Sequence, residues 1–108
     1  MNYKVASIPT FDKQAKRLSK KYHSLSSDLA ILIKSLEKHP KQGKELGNSF
    51  YKIRLSISSK GKGKSGGARI ITYVKIVESV VYLTSIYDKS EKATITGREL
   101  GQLFKAIP

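Results

Sequence analysis

Lysine, arginine and tyrosine side chains stand in and beside three apolar segments in the second half of the chain, and together they can act on a phosphate ester. Lys52 and Arg54 alternate with apolar residues, Arg69 follows two glycines, and Tyr87 and Lys89 end the third segment. Arginine can hold two phosphate oxygens at once, and a lysine crowded by other cations has a lowered pKa that lets it act as a base or an acid. The set suits cleavage of RNA by its own 2′-hydroxyl, which needs a deprotonated nucleophile, a stabilised phosphate charge and a protonated leaving oxygen.

Residue types required by other common catalytic chemistries are missing or badly spaced. The chain has no cysteine, and its two histidines, His23 and His39, fall at the ends of predicted helices, where histidine commonly interacts with the terminal carbonyls. The eight carboxylates are scattered without metal-ligand spacing, and no serine stands in an elbow motif. The sequence therefore predicts no metal site and no cofactor.

Positive charge is concentrated in two stretches of the chain. Of the formal net charge of +13, residues 1–23 carry +5, and residues 46–75 carry +7 without a single carboxylate. A surface that only keeps a protein soluble usually mixes both signs, whereas such a one-sided stretch is typical of a protein that binds nucleic acid. We therefore predict an RNA-binding surface from these cations of the first helix and the glycine-rich loop: Lys13, Lys16, Arg17, Lys20, Lys21, Lys60, Lys62 and Lys64.

The glycine- and lysine-rich loop from Lys60 to Gly67 matches two nucleotide-binding patterns only in part. Gly61–Gly66 has the G-x-G-x-x-G spacing, but a dinucleotide fingerprint needs a helix directly after it, and Ala68 begins a strand. A phosphate loop needs a glycine where Ser58 stands. A cationic loop that surrounds a phosphate backbone is the favoured interpretation, and an ordinary exposed hairpin loop is the alternative.

Three consecutive strands are predicted around this loop. Their ranges are 51–58, 68–77 and 80–87, and a short turn at 78–79 joins the last two into a hairpin. In the first strand, Ile53 and Leu55 point to one face and Lys52 and Arg54 to the other, because side chains alternate along a strand. The cations are therefore expected on the face away from the core.

Two helices precede these strands and one follows them. A strand at 2–8 leads into a helix that Thr10 can cap, and a second helix, capped by Ser24 or Ser26, ends at Pro40. Residues 41–49 are predicted as a loop, and Thr96 to Glu99 has the capping-box spacing that begins the last helix.

The order of elements, β-α-α-β-β-β-α, indicates one α+β domain over residues 1–108. We expect a small antiparallel sheet with the N-terminal helical hairpin on one face and a C-terminal helix. We expect Lys52, Arg54 and Arg69 to gather in a concave patch near the other face. No apolar run approaches the length of a membrane span, and the first residues lack the apolar stretch of a signal peptide, so the expected location is cytoplasmic.

Three segments of the chain resemble the RelE/ParE superfamily of toxins from type II toxin–antitoxin systems, most closely the RelE- and HigB-like mRNA interferases. The first is Tyr51–Leu55 (YKIRL), the second is Gly66–Tyr73 (GGARIITY), and the third is Tyr82–Glu91 (YLTSIYDKSE), with a Y-x-K-x-E exit. The loop rich in glycine and lysine resembles the HigB-type branch, and the order of elements matches over the whole chain.

The resemblance implies a small toxin that cleaves mRNA in the ribosomal A site and is silenced by a cognate antitoxin, which we expect to be acidic because the chain is so basic. It implies that Lys52, Arg54 and Arg69 contact or activate the scissile phosphate and that the position of Lys89 carries a basic catalytic residue. The tyrosine of RelE-type enzymes would fall near Ile95, so its role is vacant or passes to Tyr87. Which residue is the general base and which is the acid stays open.

Two other functions fit parts of the sequence. A ParE-like gyrase inhibitor would share the fold without needing a cationic phosphate site, and the carboxylate-free stretch 46–75 favours the nuclease. A non-catalytic RNA-binding module would usually present exposed aromatic residues for base stacking, whereas most tyrosines here fit the strand alternation.

Overall fold

The computed structural model describes residues 2–60 and 66–108, and a five-stranded sheet forms its centre. The strands are β1 (Lys4–Ser7), β2 (Lys44–Gly47), β3 (Phe50–Leu55), β4 (Ala68–Lys75) and β5 (Val80–Asp88). Their order across the sheet is β1-β5-β4-β3-β2; β1 runs parallel to β5, and the other neighbours are antiparallel. The predicted α+β class is confirmed.

Three helices are described around the sheet: α1 (Pro9–Lys21), α2 (Leu25–Lys38) and α3 (Gly97–Lys105). Helix α1 packs on β5, and α2 packs on β1 and against α1. The apolar stripes of these two helices, including Leu18 and Leu36, are buried in one cluster with Ile53, Leu55 and Ile70 of the sheet. Burying each such side chain stabilises the fold by about 1.5–3 kcal/mol, which makes this layer the main source of stability. None of the described helices is long and apolar enough to cross a membrane.

Strand β2 lies inside the stretch that the sequence predicts as a loop, and it is the main difference from the predicted order. It pairs with Phe50–Lys52 at the edge of the sheet. The turn into β3 uses left-handed backbone at Gly47, Asn48 and Ser49, with φ angles of 94°, 52° and 69°. A four-residue edge strand with two charged residues offers almost no alternation to detect, which explains why the sequence did not predict it.

Several element boundaries also differ from the prediction. Strand β3 ends at Leu55 instead of Ser58, and Ser58–Lys60 forms a 3-10 turn. Strand β4 ends at Lys75, and Ile76–Glu78 forms a 3-10 turn instead of the end of the strand. Helix α1 begins at Pro9, not after Thr10, because proline is well suited to the first position of a helix. The predicted capping box of the last helix is confirmed: Glu99 N donates to Thr96 Oγ1 at 3.2 Å, and Thr96 N donates to Glu99 Oε1 at 3.0 Å.

Candidate active site

Pairing between β3, β4 and β5 brings the predicted catalytic residues to one face of the sheet. Arg54 of β3 lies directly across from Arg69 of β4, and Arg69 lies directly across from Tyr87 of β5. Residues directly opposite each other in antiparallel strands point to the same side, as do residues two apart in one strand. Lys52 therefore shares this face with Arg54, while Ile53 and Leu55 point to the core, as the alternation predicts.

Arg69 reaches its position because the chain before it passes very close to β3. A Cβ atom on Gly67 would lie 2.0 Å from the carbonyl oxygen of Leu55, so only glycine fits there. Arg69 is 6% exposed, and its Nη1 donates to the carbonyl oxygen of Ala68 at 3.2 Å. Its guanidinium is therefore held by the surrounding protein and is largely removed from bulk water.

Lys52 is a half-buried lysine among other cations. Burial lowers the pKa of its ammonium group, and the charges of Lys44, Arg69, Lys89 and Arg54 lower it further, in that order. Both effects favour the neutral amine, which can accept a proton. The sequence did not single out Lys44, because the register between β2 and β3 that brings it opposite Lys52 follows from a strand that was not predicted.

A cleft of about 670 Å³ lies beside β3 and contains part of the predicted cationic patch. Lys44, Lys52 and Arg54 line it from the sheet, and Asp28 and Leu32 line it from α2. Arg69, Tyr87 and Lys89 are not among its lining residues. The gathering of Lys52, Arg54 and Arg69 in one concave patch therefore stays a prediction, although Arg54 and Arg69 lie on the same face of the sheet. Arg69 is buried on the central strand β4, whereas the cleft lies between α2 and the edge of the sheet.

Tyr87 and Lys89 stand at the end of β5. Tyr87 is 6% exposed, its hydroxyl has no hydrogen-bond partner among the described residues, and the Lys92 ammonium lies 5.4 Å from its ring centre. Burial raises the pKa of the Tyr87 hydroxyl, so it keeps its proton and can donate but not accept one as a base. The Lys89 ammonium donates to the carbonyl oxygen of Ala93 at 2.8 Å, which orients this lysine within the segment after β5.

A buried carboxylate between these two residues was not anticipated from the sequence. Asp88 is fully buried, and it accepts hydrogen bonds from the Lys60 ammonium at 2.8 Å and the Tyr22 hydroxyl at 2.5 Å. Burial alone would raise the pKa of Asp88, but hydrogen bonds from Lys60, Tyr22 and Ser90 outweigh it and hold the pKa well below its usual range. Asp88 therefore ties the end of β5 to the end of α1 and to the start of the glycine-rich loop.

The model of the RelE toxin family, from the RelE/RelB toxin–antitoxin system, matches residues 9–107 of this chain. The chain belongs to the RelE toxin family. Among solved structures, the E. coli toxin RelE, in a doubly substituted mutant in the free state, is similar over the full length of both chains, with a TM-score of 0.66 and 18% identity. At this identity the structural match supports the fold. Family membership makes the protein a toxin of a toxin–antitoxin system, with an antitoxin as its partner.

The basic face of α1 in this RelE-family toxin divides into two groups. Lys13, Lys16 and Lys20 are exposed, and no ion pair among the described residues involves them. Arg17 donates to Glu91 at 2.8 Å, and Lys21 lies 3.5 Å from the same carboxylate. All five remain predicted RNA contacts, but two of them already hold the segment that follows β5.

The predicted RNA contacts of the glycine-rich loop are only partly within the described structure. Lys60 is 10% exposed and forms the ion pair with Asp88, so its ammonium group is not available on the surface as the prediction requires. Lys62 and Lys64 lie outside the described residues, as does most of the G-x-G-x-x-G stretch. Within residues 2–60 and 66–108, no group of three histidine, aspartate or glutamate side chains is arranged to hold a metal ion.

Proposed function

We propose that this RelE-family toxin is a ribosome-dependent endoribonuclease that cleaves mRNA in the ribosomal A site and thereby inhibits translation in the cytoplasm. The observation that carries the proposal is the common face of Lys52, Arg54, Arg69 and Tyr87 on three adjacent strands. A gyrase inhibitor would not require cations and a proton donor on adjacent strands. No ion pair among the described residues involves Lys52 or Arg54, so both can meet a phosphate.

The proposed reaction is a transesterification within the RNA. Lys52, as the neutral amine, accepts the proton of the 2′-hydroxyl, and the 2′-oxygen forms a bond to phosphorus. The bond from phosphorus to the 5′-oxygen breaks, its electron pair stays on that oxygen, and the Lys89 ammonium protonates it. The products are a 2′,3′-cyclic phosphate and a 5′-hydroxyl. Arg54 and Arg69 stabilise the negative charge that builds on the remaining phosphate oxygens.

Tyr87 supports this reaction as a hydrogen-bond donor on the same face of the sheet. Its hydroxyl is buried without a described partner, which normally costs about 1–3 kcal/mol of stability. A substrate oxygen that accepts its hydrogen bond would remove that cost. The raised pKa keeps the hydroxyl neutral throughout the physiological range, so Tyr87 is proposed as a donor and Lys52 as the base.

Dependence on the ribosome follows from what the site does not provide. The cations on this face can stabilise charge, but they cannot by themselves hold a flexible RNA in line for attack. Correct orientation can supply several kcal/mol of a barrier, roughly 7–11 in the best cases. A ribosome that holds mRNA in the A site would provide it, with the exposed cations of α1 as contacts to rRNA.

The antitoxin is proposed to be acidic where it contacts the toxin. The toxin carries a net charge of +13, and complementary charge speeds encounter and fixes orientation. We expect the complex to weaken as salt rises. A complex with a partner that is equally basic, insensitive to salt, would contradict this part of the proposal.

The decisive experiment incubates the purified toxin with translating ribosomes on a defined mRNA, with the same mRNA alone, and with gyrase and relaxed plasmid. We expect cuts in the translated mRNA that end in a 2′,3′-cyclic phosphate, little cleavage of the free RNA and no effect on supercoiling. Lys52→Gln should abolish the cuts, and Lys34→Gln, an exposed lysine on α2, should leave them unchanged.

Each alternative function predicts a different pattern in the same experiment. Inhibition of supercoiling without RNA cleavage would identify a ParE-like activity. Binding of RNA without cleavage, on or off the ribosome, would identify a binding module. Efficient cleavage of free RNA, at a rate that ribosomes do not change, would support the nuclease activity but refute its dependence on the ribosome.

A further inference from the structure

The first residue of β2, Lys44, lies directly across from Lys52 in the β2–β3 pair. Residues that face each other in this way have Cβ atoms about 4.5–5.5 Å apart, and their side chains share one side of the sheet. Both lysines line the cleft beside β3. Two ammonium groups in this arrangement repel each other, and like charges directly opposite are normally destabilising.

The chain approaches Lys52 unusually closely at this point. Gly43 has a φ of 91°, and a Cβ atom there would lie 2.3 Å from the carbonyl oxygen of Lys52 and 3.0 Å from the side chain of Ile53. Any other residue would force β2 away from β3. Gly43 thus allows β2 to pair closely with β3, which keeps Lys44 opposite Lys52 in spite of the repulsion between their ammonium groups.

The remaining charged groups around Lys52 do not cancel the charge of Lys44. Arg54, Arg69 and Lys89 are all cations that act on it in the same direction. Glu45, the nearest carboxylate in sequence to Lys44, pairs with Tyr51 and therefore points to the other side of the sheet. Asp28 of α2 also lines the cleft, and its carboxylate is held by hydrogen bonds from Ser24 and from Ser58 at 2.9 Å and 2.6 Å. The charges that shift the pKa of Lys52 are nevertheless all cations.

We propose that Lys44 is a positioning residue of the nuclease site: its ammonium group, held directly across from Lys52, favours the neutral amine of Lys52 that takes the proton of the 2′-hydroxyl. This inference rests on the proposed function for its consequence in catalysis, but the effect of one lysine on the other exists in the toxin alone. Burial of Lys52 acts in the same direction as this charge. The effect of Lys44 can be distinguished from that of burial, because added salt screens the repulsion between the two ammonium groups.

The test measures the protonation of Lys52 directly, by NMR titration of lysine side chains in the free toxin, with the Lys52 signal assigned from its loss in Lys52→Arg. Lys44→Gln should raise the pKa of Lys52 by about half a unit at low salt, as expected for an exposed like charge at this separation. Lys44→Arg keeps the charge and should leave the pKa unchanged. Lys4→Gln removes an equal charge from β1, at the far edge of the sheet, and should also change nothing.

The same variants are then compared in ribosome-dependent cleavage at a saturating toxin concentration over a range of pH. The rate rises with pH as Lys52 loses its proton, so Lys44→Gln should move this rise to higher pH by the same half unit, with an unchanged plateau. A pKa of Lys52 that does not respond to Lys44→Gln would overturn the inference even if the toxin cleaves mRNA. If Lys44→Gln shifts the pKa of Lys52 but leaves the pH dependence of cleavage unchanged, Lys52 is not the base. The catalytic part of this inference would then be wrong.

Discussion

Burial acts in opposite directions on the pKa values of side chains in β3 and β5, the two strands on either side of β4. It lowers the pKa of Lys52 and raises that of Tyr87, while for Asp88 hydrogen bonds outweigh it and keep the carboxylate charged. The neutral amine is therefore favoured at Lys52 on β3, while on β5 Tyr87 keeps its proton and the adjacent Asp88 stays charged. Burial disfavours the charged form in each case, which is the protonated form of lysine and the deprotonated form of tyrosine and aspartate. Asp88 departs from this rule only because of its hydrogen-bond partners.

Arg69 is the residue whose substitution should affect catalysis most. Arg69→Lys keeps the charge but loses the planar fork that holds two phosphate oxygens, so we expect the rate of mRNA cleavage to fall about a hundredfold or more. The variant should still bind the antitoxin, which reports that it is folded. Arg98→Lys, an exposed arginine of α3, is the matched control and should cleave normally. Full growth inhibition by a folded Arg69→Lys toxin would exclude Arg69 from the site.

Asp88 is expected to matter for stability. Asp88→Asn leaves the Lys60 ammonium buried beside an uncharged amide, and removing one partner of such a buried pair typically costs about 3–5 kcal/mol. Chemical denaturation at pH 7 measures this loss. Glu91→Gln is the control, because the Arg17–Glu91 pair lies in solvent and its loss should change the unfolding free energy little.

The stabilisation by Asp88 should also depend on pH in one direction. Its folded-state pKa lies below the unfolded value of about 3.9, so the stabilisation is complete above that value and is lost as the pH falls toward the folded pKa. We expect the difference in unfolding free energy between wild type and Asp88→Asn to be largest near neutral pH and to shrink below about pH 4. A difference that grows on acidification would contradict the assignment of Asp88 as a charged partner of Lys60.

At the scale of elements, the residue before β4 approaches β3 very closely, at Gly67. Gly67→Ala would place a methyl group 2.0 Å from the carbonyl oxygen of Leu55, and forcing the strands apart should destabilise the toxin by about 1–3 kcal/mol. Cleavage should fall as well, because Arg69 lies two residues further along β4. Thermal unfolding and the cleavage assay measure the two effects.

Gly101→Ala should stabilise the toxin, in contrast to Gly67→Ala, because no neighbouring atom would contact the added methyl group. A Cβ atom on Gly101 in α3 meets no other group within 4 Å, and alanine favours a helix over glycine by about 0.5–1 kcal/mol. This variant should be slightly more stable than wild type. Equal destabilisation by both substitutions would mean that the close approach at Gly67 has no special role.

At the scale of the whole molecule, the excess positive charge includes the cations of β3 and β4 and the exposed lysines of α1. The triple change of Lys13, Lys16 and Lys20 to glutamate should abolish cleavage on the ribosome and reduce the salt dependence of ribosome binding, because phosphate contacts release counterions. The same change at Lys34, Lys38 and Lys41, which are exposed outside the predicted RNA-binding surface, should leave most activity. Sedimentation with ribosomes at several salt concentrations measures binding. Normal activity of the α1 triple variant would make this helix an ordinary solvated surface.

Local pattern alone determined the α+β class, the two-helix arrangement before the sheet and the capping box of α3. It also determined the shared face of Lys52 and Arg54, because each of these depends on residues close together in the chain. Strand β2, the pairing of Lys44 with Lys52, the depth of Arg69 and the burial of Asp88 with Lys60 depend on contacts between distant segments. The sequence shows that a cation is present; only the tertiary structure decides whether it meets solvent, another cation or a buried carboxylate. The pKa of each group depends on those surroundings, so residue types alone indicated phosphate chemistry without dividing the roles among the lysines.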